Sequence, residues 1–193
     1  MSKLVNRSKK RVDIAKSTCE LFIKEGFVNI SISQIANQAG IGKGTVYQYF
    51  ENKEDIIFEL MSCLQKEYDP KLQAKLLKSS SVKQKVLALF DLFISDDEKV
   101  LIQKQIYKEF LAIYLNNPSD QIRVYQKQMK DKYTDILINI FNEAILNNEL
   151  RKESINFVDS VFATIEGFFI VNDDQKQIVN YIESLLELLQ KRG

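Results

Sequence analysis

Residues 31–50 read SISQIANQAGIGKGTVYQYF and carry the clearest local structural signals of the N-terminal part of the chain. Ser31 with Gln34 three residues later forms a capping-box pair, which predicts the start of a helix. Gly40 interrupts the helical pattern after about two turns, and a second short helix is predicted from Lys43 to Phe50. The stretch therefore predicts two short helices joined by a glycine turn.

The spacing of small and apolar residues in this stretch is typical of a helix-turn-helix. Two closely crossing helices need a small residue at their contact, a turn residue that tolerates positive φ, and an apolar anchor in the second helix. Ala36, Gly40 and Val46 fill these three roles. The remaining face of the second helix is polar, and in a DNA-binding motif that helix enters the major groove. Two ordinary core helices are the alternative interpretation.

The charge distribution favours the DNA-binding interpretation. Residues 1–53 carry nine basic and four acidic side chains, a net charge of +5, whereas the other 140 residues carry 18 basic and 22 acidic side chains, a net charge of −4. A basic end on an acidic body is expected when one end of a protein meets a polyanion. The charge distribution alone does not distinguish a DNA-binding surface from a helix face that is merely exposed to solvent.

The rest of the chain predicts an all-α fold. Only 6 Gly and 2 Pro occur in 193 residues, too few turn residues for a many-stranded sandwich or barrel. Apolar residues recur at helical spacing throughout, and Asn147-Asn148 is a candidate left-handed turn. About nine helices are predicted: 8–25, 31–39, 43–50, one from the fifties into the seventies, 82–94, 98–116, 118–147, 154–171 and 174–191.

Composition also excludes several classes of function. The chain has no His, which removes the commonest metal ligand and the usual general base, so no enzyme activity, metal or cofactor is predicted. Its two cysteines are far apart in sequence and are expected to be buried apolar side chains. Charges interrupt every apolar stretch before the length of a membrane helix, and the N-terminus lacks the apolar run of a signal peptide. The protein is expected to be cytoplasmic, without a membrane partner.

The helix-turn-helix stretch closely resembles the TetR family, the tetracycline-repressor-like regulators. The resemblance covers residues 32–50 and Asn52-Lys53-Glu54, together with Leu21-Phe22 and Glu25-Gly26-Phe27 upstream. It implies a three-helix DNA-binding domain at residues 8–68, with its helix-turn-helix at 31–50. It also implies a helical effector-binding and dimerisation bundle at residues 69–193.

The predicted DNA contacts follow from the polar face and from the resemblance. Gln48 can bond adenine through two hydrogen bonds, and the Thr45 methyl can meet a thymine methyl. The resemblance implies phosphate contacts for Ser33 and Lys53. The full predicted set is Ser33, Gly42, Lys43, Gly44, Thr45, Tyr47, Gln48, Tyr49 and Lys53.

The last two predicted helices each carry a broad apolar face, which is expected to serve a monomer core and a partner surface together. The predicted partner is a second copy of the chain, and a two-fold dimer requires a palindromic operator in double-stranded DNA. The predicted interface residues are Val158, Phe162, Ile165, Phe169, Ile178, Ile182, Leu185 and Leu189.

A small-molecule effector is the remaining expectation, implied by the resemblance and by an aromatic-rich body. The resemblance implies a repressor released by a small apolar or amphipathic ligand, although the residues do not distinguish repression from activation. An effectorless dimerisation or interaction module that binds DNA is the alternative. The candidate pocket residues are Phe90, Phe93, Tyr107, Phe110, Phe141 and Phe162, any of which could instead be core.

Overall fold

The computed structural model describes residues 2–116, 118–171 and 174–191, with side chains from Arg7 onward. These residues form eleven α-helices and one 3-10 helix, without a β-strand, which confirms the all-α prediction. The α-helices are α1 (Ser2–Ser17), α2 (Cys19–Glu25), α3 (Ile32–Gln38), α4 (Lys43–Tyr49), α5 (Glu54–Lys78), α6 (Val82–Leu89), α7 (Asp91–Ile94), α8 (Glu98–Asn116), α9 (Asp120–Leu146), α10 (Val158–Val171) and α11 (Gln175–Leu189). The 3-10 helix Lys152–Phe157 directly precedes α10.

The helix count exceeds nine because two predicted helices are each interrupted at one residue. Thr18 separates α1 from α2: its backbone N–H and its hydroxyl both donate to the Ala15 carbonyl oxygen, at 3.2 and 2.8 Å. Phe90 separates α6 from α7 with φ −96° and ψ 15°. Side-chain bonding of Thr to an upstream carbonyl competes with the regular helical bond, and a helical periodicity does not reveal it.

The described residues cluster into two compact units. The first runs to Tyr68 and also includes Leu101–Ile122, and the second comprises Asp69–Val100 and the chain from Arg123 onward. The units change at the predicted boundary 68/69, and the segment Leu101–Ile122, which is most of α8 and the first residues of α9, also clusters with the N-terminal helices. Glu109 of α8 illustrates the reason: its carboxylate accepts the Phe27 N–H at 2.8 Å.

The core of the first unit is formed by the inward faces of its short helices. The inward-facing apolar residues of the helix-turn-helix are buried there, with Ile35 and Val46 fully inaccessible. Burial raises the pKa of the thiols of Cys19 and Cys63, so both remain protonated and unreactive at neutral pH. Other buried residues of this unit are Ile14, Ala15, Phe22, Ala36, Phe50, Ile56, Ile57 and Leu60.

The core of the second unit is rich in aromatic contacts. The Phe93 and Phe169 ring centroids lie 4.8 Å apart, and those of Phe90 and Phe162 lie 5.9 Å apart. The predicted left-handed turn after α9 is confirmed at Asn148, whose φ is 61°. Beyond it, the Arg151 N–H donates to the Leu189 carbonyl oxygen at 3.0 Å and ties this turn to the end of α11.

The segment Lys152–Val171 is long enough to span a membrane and has a mean hydropathy of 1.4. The sequence analysis did not expect this, because the acids Asp159 and Glu166 interrupt the apolar stretch. Its α-helical part has 14 residues and is therefore about 21 Å long, shorter than the ~30 Å core of a bilayer. One face of α10 packs in the core, with Val158, Val161, Phe162, Ile165 and Phe169 all buried. About a third of the segment is buried, so α10 has one face in the core and one face open.

Candidate nucleic-acid interface

The first helix of the motif begins with the predicted capping box. The Ser31 hydroxyl accepts the Gln34 backbone N–H at 3.2 Å, and Gln34 Oε1 accepts the Ser31 N–H at 2.8 Å. The Gln34 side chain also donates to Glu25 Oε2 at 2.8 Å, which ties α3 to the end of α2. Two N–H groups at the start of α3, those of Ser31 and Gln34, are therefore satisfied by side chains within the same few residues.

The turn of the motif depends on Gly40, whose φ is +64°. Its N–H donates to the Asn37 carbonyl oxygen, and the next N–H, of Ile41, donates to the Ala36 carbonyl oxygen at 3.0 Å. A Cβ at Gly40 would meet no atom within 4 Å, so the backbone conformation, and not lack of space, requires glycine here.

The second helix, α4, presents a polar outer face above an apolar anchor. Val46 and Phe50 are buried, whereas Lys43, Tyr47 and Gln48 are exposed. Tyr47 is 52% exposed and points away from the core. Of the other predicted contact residues, Ser33, Gly42 and Gly44 are exposed, and Thr45 and Tyr49 are half-buried.

Lys53 has a different environment from the rest of the predicted set. Its ammonium donates to the carbonyl oxygens of Phe27, Val28 and Ile30, at 2.6, 3.1 and 2.9 Å, and lies 4.5 Å from the centroid of the Phe27 ring. Burial lowers the pKa of this ammonium, and the neighbouring Glu54 opposes the shift. Its three donors thus hold the loop before α3, and a phosphate contact would require one of these bonds to open.

Lys53→Met is expected to lower the free energy of unfolding by about 1–2 kcal/mol, because three carbonyl oxygens lose a charged donor at a partly exposed site. Urea denaturation followed by circular dichroism measures this change. Lys24→Met removes an exposed lysine from α2 of the same unit and serves as the matched control. Equal stabilities of the two variants would contradict the loop-holding role.

Two arginines of α1 reach the C-terminal end of α4, a contact that the sequence analysis missed. Arg7 Nη2 donates to the Gln48 carbonyl oxygen at 3.0 Å, and Arg11 Nη1 donates to the Tyr49 carbonyl oxygen. Both arginines line a polar cleft of about 440 Å³ together with residues 47–51, Asp55 and Gln121. Their four-residue spacing on one helix face was the only sequence signal, and it did not identify a partner.

The predicted dimer-interface residues require correction. Seven of the eight, Val158, Phe162, Ile165, Phe169, Ile178, Ile182 and Leu189, are buried in the core of the second unit, and only Leu185 is half-buried. The outer face of α10 instead carries small and apolar residues, with Ala163, Ile170 and Val171 exposed. A Cβ at Gly167 would meet no atom within 4 Å, so this face is open.

The six candidate pocket residues are divided between the two units. Tyr107 and Phe110 belong to the first unit, whereas Phe90, Phe93, Phe141 and Phe162 belong to the second. All six are buried, and Phe90 contacts both Phe93 and Phe162. These contacts are those of core side chains.

Comparison with known proteins places the motif in a family. Residues 14–60, which contain the helix-turn-helix, match the family model described as bacterial regulatory proteins, tetR family. Relatives extend along nearly the whole chain. The fatty acid metabolism regulator protein of Bacillus subtilis is 25% identical over 93% of both chains, and the regulator QacR of Staphylococcus aureus is 24% identical over 89% of this chain and 88% of its own.

Solved structures share the fold. A regulator from Saccharomonospora viridis in complex with choline has a TM-score of 0.80 at 17% identity, covering 96% of this chain and all of that one. FadR from Bacillus subtilis in complex with stearoyl-CoA has a TM-score of 0.63 at 22% identity, covering 91% and 95%. Residues 14–60, which contain α3 and α4, therefore carry the DNA-binding domain of the tetR family of bacterial regulatory proteins, and the similarity to regulators along nearly the whole chain identifies a DNA-binding transcriptional regulator.

Proposed function

We propose that this regulator binds a palindromic operator as a homodimer and represses transcription until a small apolar or amphipathic ligand binds its helical body. The observation that carries the proposal is the polar face of α4 above the buried Val46 and Phe50. The rigid anchor holds the helix while its outer side chains remain free for a major groove. The site of action is the bacterial cytoplasm, and no enzymatic step is involved.

Base reading is assigned to the exposed side chains of α4. Gln48 offers an amide that pairs with both hydrogen-bonding groups of an adenine edge, and Lys43 at the start of the helix reaches a guanine or a phosphate. Ser33 on α3 and Tyr47 on α4 are exposed hydroxyl groups suited to backbone phosphates. Phosphate contacts fix the register, and the base contacts supply specificity.

The proposed dimer contact uses the outer faces of α10 and α11. Ala163 and Gly167 allow a close approach of two helices, and Ile170 and Leu188 are exposed apolar side chains, 47% and 60% accessible. Two copies related by a two-fold axis would bury these faces in a four-helix contact. A dimer of this kind would bring two copies of α4 to one palindromic operator.

The effector proposal draws on the relatives and on the aromatic body of the second unit. Two solved structures with this fold contain choline and stearoyl-CoA, ligands with large apolar or methylated surfaces. The rival candidate is an effectorless module, and the mutual packing of Phe90 with Phe162 and of Phe93 with Phe169 favours it. The two candidates differ in whether a ligand stabilises the protein.

Thermal unfolding with and without stearoyl-CoA distinguishes them, with choline as a small cationic comparison. A ligand that binds only the folded state increases the free energy of unfolding, by about 2.7 kcal/mol when its concentration is a hundred times its Kd. The unfolding temperature rises as a consequence. We expect stearoyl-CoA to stabilise the protein and to weaken its operator binding in the same concentration range. Operator binding that neither compound changes would favour the effectorless module.

A further inference from the structure

The C-terminal end of α4 is held by side chains from α1. A helix leaves its last carbonyl oxygens without intrahelical partners, and basic side chains near this end satisfy them and interact favourably with the helix dipole. In α4, which has only seven residues, two such oxygens are bonded by Arg7 and Arg11. The C-terminal end of α4 is therefore bonded to side chains that lie about 40 residues earlier in the sequence.

Arg11 joins three helices at one guanidinium. It donates to the Tyr49 carbonyl oxygen at the end of α4 and to Glu59 Oε2 of α5 at 2.9 Å, and it lies 4.5 Å from the centroid of the Phe50 ring. A guanidinium has five donors in a fixed plane, so these contacts together define its orientation. The end of α4 is thus fixed relative to α1 and α5.

Arg7 acts at the residue that is proposed to read a base. Its side chain is exposed, yet Nη2 bonds the backbone oxygen of Gln48, 41 residues away in sequence. Holding this carbonyl fixes the backbone from which the Gln48 side chain projects. A bidentate contact with adenine needs near-linear bonds of about 2.9 Å, so small rotations of α4 weaken it.

The charges around the cleft indicate that the two arginines hold the end of α4 and do not bind a DNA phosphate. Glu51 and Asp55 line the same cleft as the two arginines, and Glu59 is paired with Arg11. Asp55 Oδ2 accepts the Glu51 N–H at 2.9 Å, which keeps this carboxylate in place. An anion in the cleft would meet these acids as well as the guanidinium groups.

We propose that Arg7 and Arg11 are positioning residues of the DNA-binding surface: they set the orientation of α4, and through it the selectivity for the operator, without reading bases themselves. This rests on the proposed function, in which α4 reads the operator. It extends the determinants of specificity to a helix outside the helix-turn-helix.

The test compares Arg7→Ala with Lys9→Ala. Both variants remove one positive charge from an exposed side chain of α1, so their general attraction to DNA falls equally. The readout is the ratio of affinities for the operator and for a random duplex, measured by fluorescence anisotropy at two salt concentrations. We expect Arg7→Ala to lower this ratio about tenfold and Lys9→Ala to leave it within about twofold of wild type.

Each contrary result has its own meaning. An Arg7→Ala variant with the wild-type ratio of affinities would overturn the positioning role of Arg7. If this variant lost the same affinity for both duplexes, and its affinity depended on salt with a slope smaller by about one, Arg7 would be a phosphate contact instead. Arg11→Lys keeps the charge but loses the fixed plane, so we expect a lower ratio for folded protein. A lower unfolding temperature with an unchanged ratio would overturn the role of Arg11. A wild-type protein without operator preference would instead refute the proposed function itself.

Discussion

Replacing Lys43 and Gln48 together by alanine is expected to weaken operator binding by about a hundredfold or more. Each base contact of this kind contributes about 1–3 kcal/mol of discrimination, and both side chains lie on the exposed face of α4. The fold should persist because the buried anchor Val46 is unchanged. Fluorescence anisotropy on the operator measures the loss, and circular dichroism checks the fold.

The matched control is Lys71→Ala with Gln73→Ala. These residues are the same types, also exposed, and lie on the part of α5 that belongs to the second unit. We expect this pair to bind the operator within about twofold of wild type, because two exposed substitutions away from the interface change little. If Lys43→Ala with Gln48→Ala bound as tightly as this control, α4 would not be the reading helix.

Introducing a charge at Ala163 is the second change with a large expected effect. Ala163 is exposed on the outer face of α10, one turn before Gly167, where the proposed two-fold contact brings two copies together. Ala163→Arg would place two like charges and two long side chains in that contact. We expect monomers at micromolar concentration in analytical ultracentrifugation and operator binding weaker by about a hundredfold, because one half-site then binds alone.

Asn139→Arg controls for the added charge, because Asn139 is exposed on α9 of the same unit. It should sediment as wild type and bind the operator normally. A dimeric Ala163→Arg variant would show that the partner surface lies elsewhere than the outer face of α10.

The features of the motif that depend on neighbouring residues could be predicted from the sequence. Ser31 and Gln34 form the predicted capping box, and Gly40 adopts the positive φ that the spacing required. These elements are determined within a few residues of the chain, so their sequence signals are local. The buried positions Ile35 and Val46 follow from the same short-range periodicity.

Contacts between distant parts of the chain could not be predicted in this way. Arg7 bonds Gln48 across 41 residues, and Glu109 bonds Phe27 across 82, without any local pattern that names the partner. On α10, apolar residues occupy both faces, so periodicity indicated burial but not which face forms the core. The residues chosen for the interface, such as Ile165 and Phe169, are the most deeply buried ones.

Reading of a specific DNA sequence by the exposed face of α4 is the property on which the proposed function depends. The most direct test is selection of bound duplexes from a random library with the wild-type protein at two salt concentrations, followed by sequencing. We expect recovery of one palindromic sequence, bound tightly and with a steep dependence on salt. Recovery of no common sequence, with weak binding to every duplex, would contradict it.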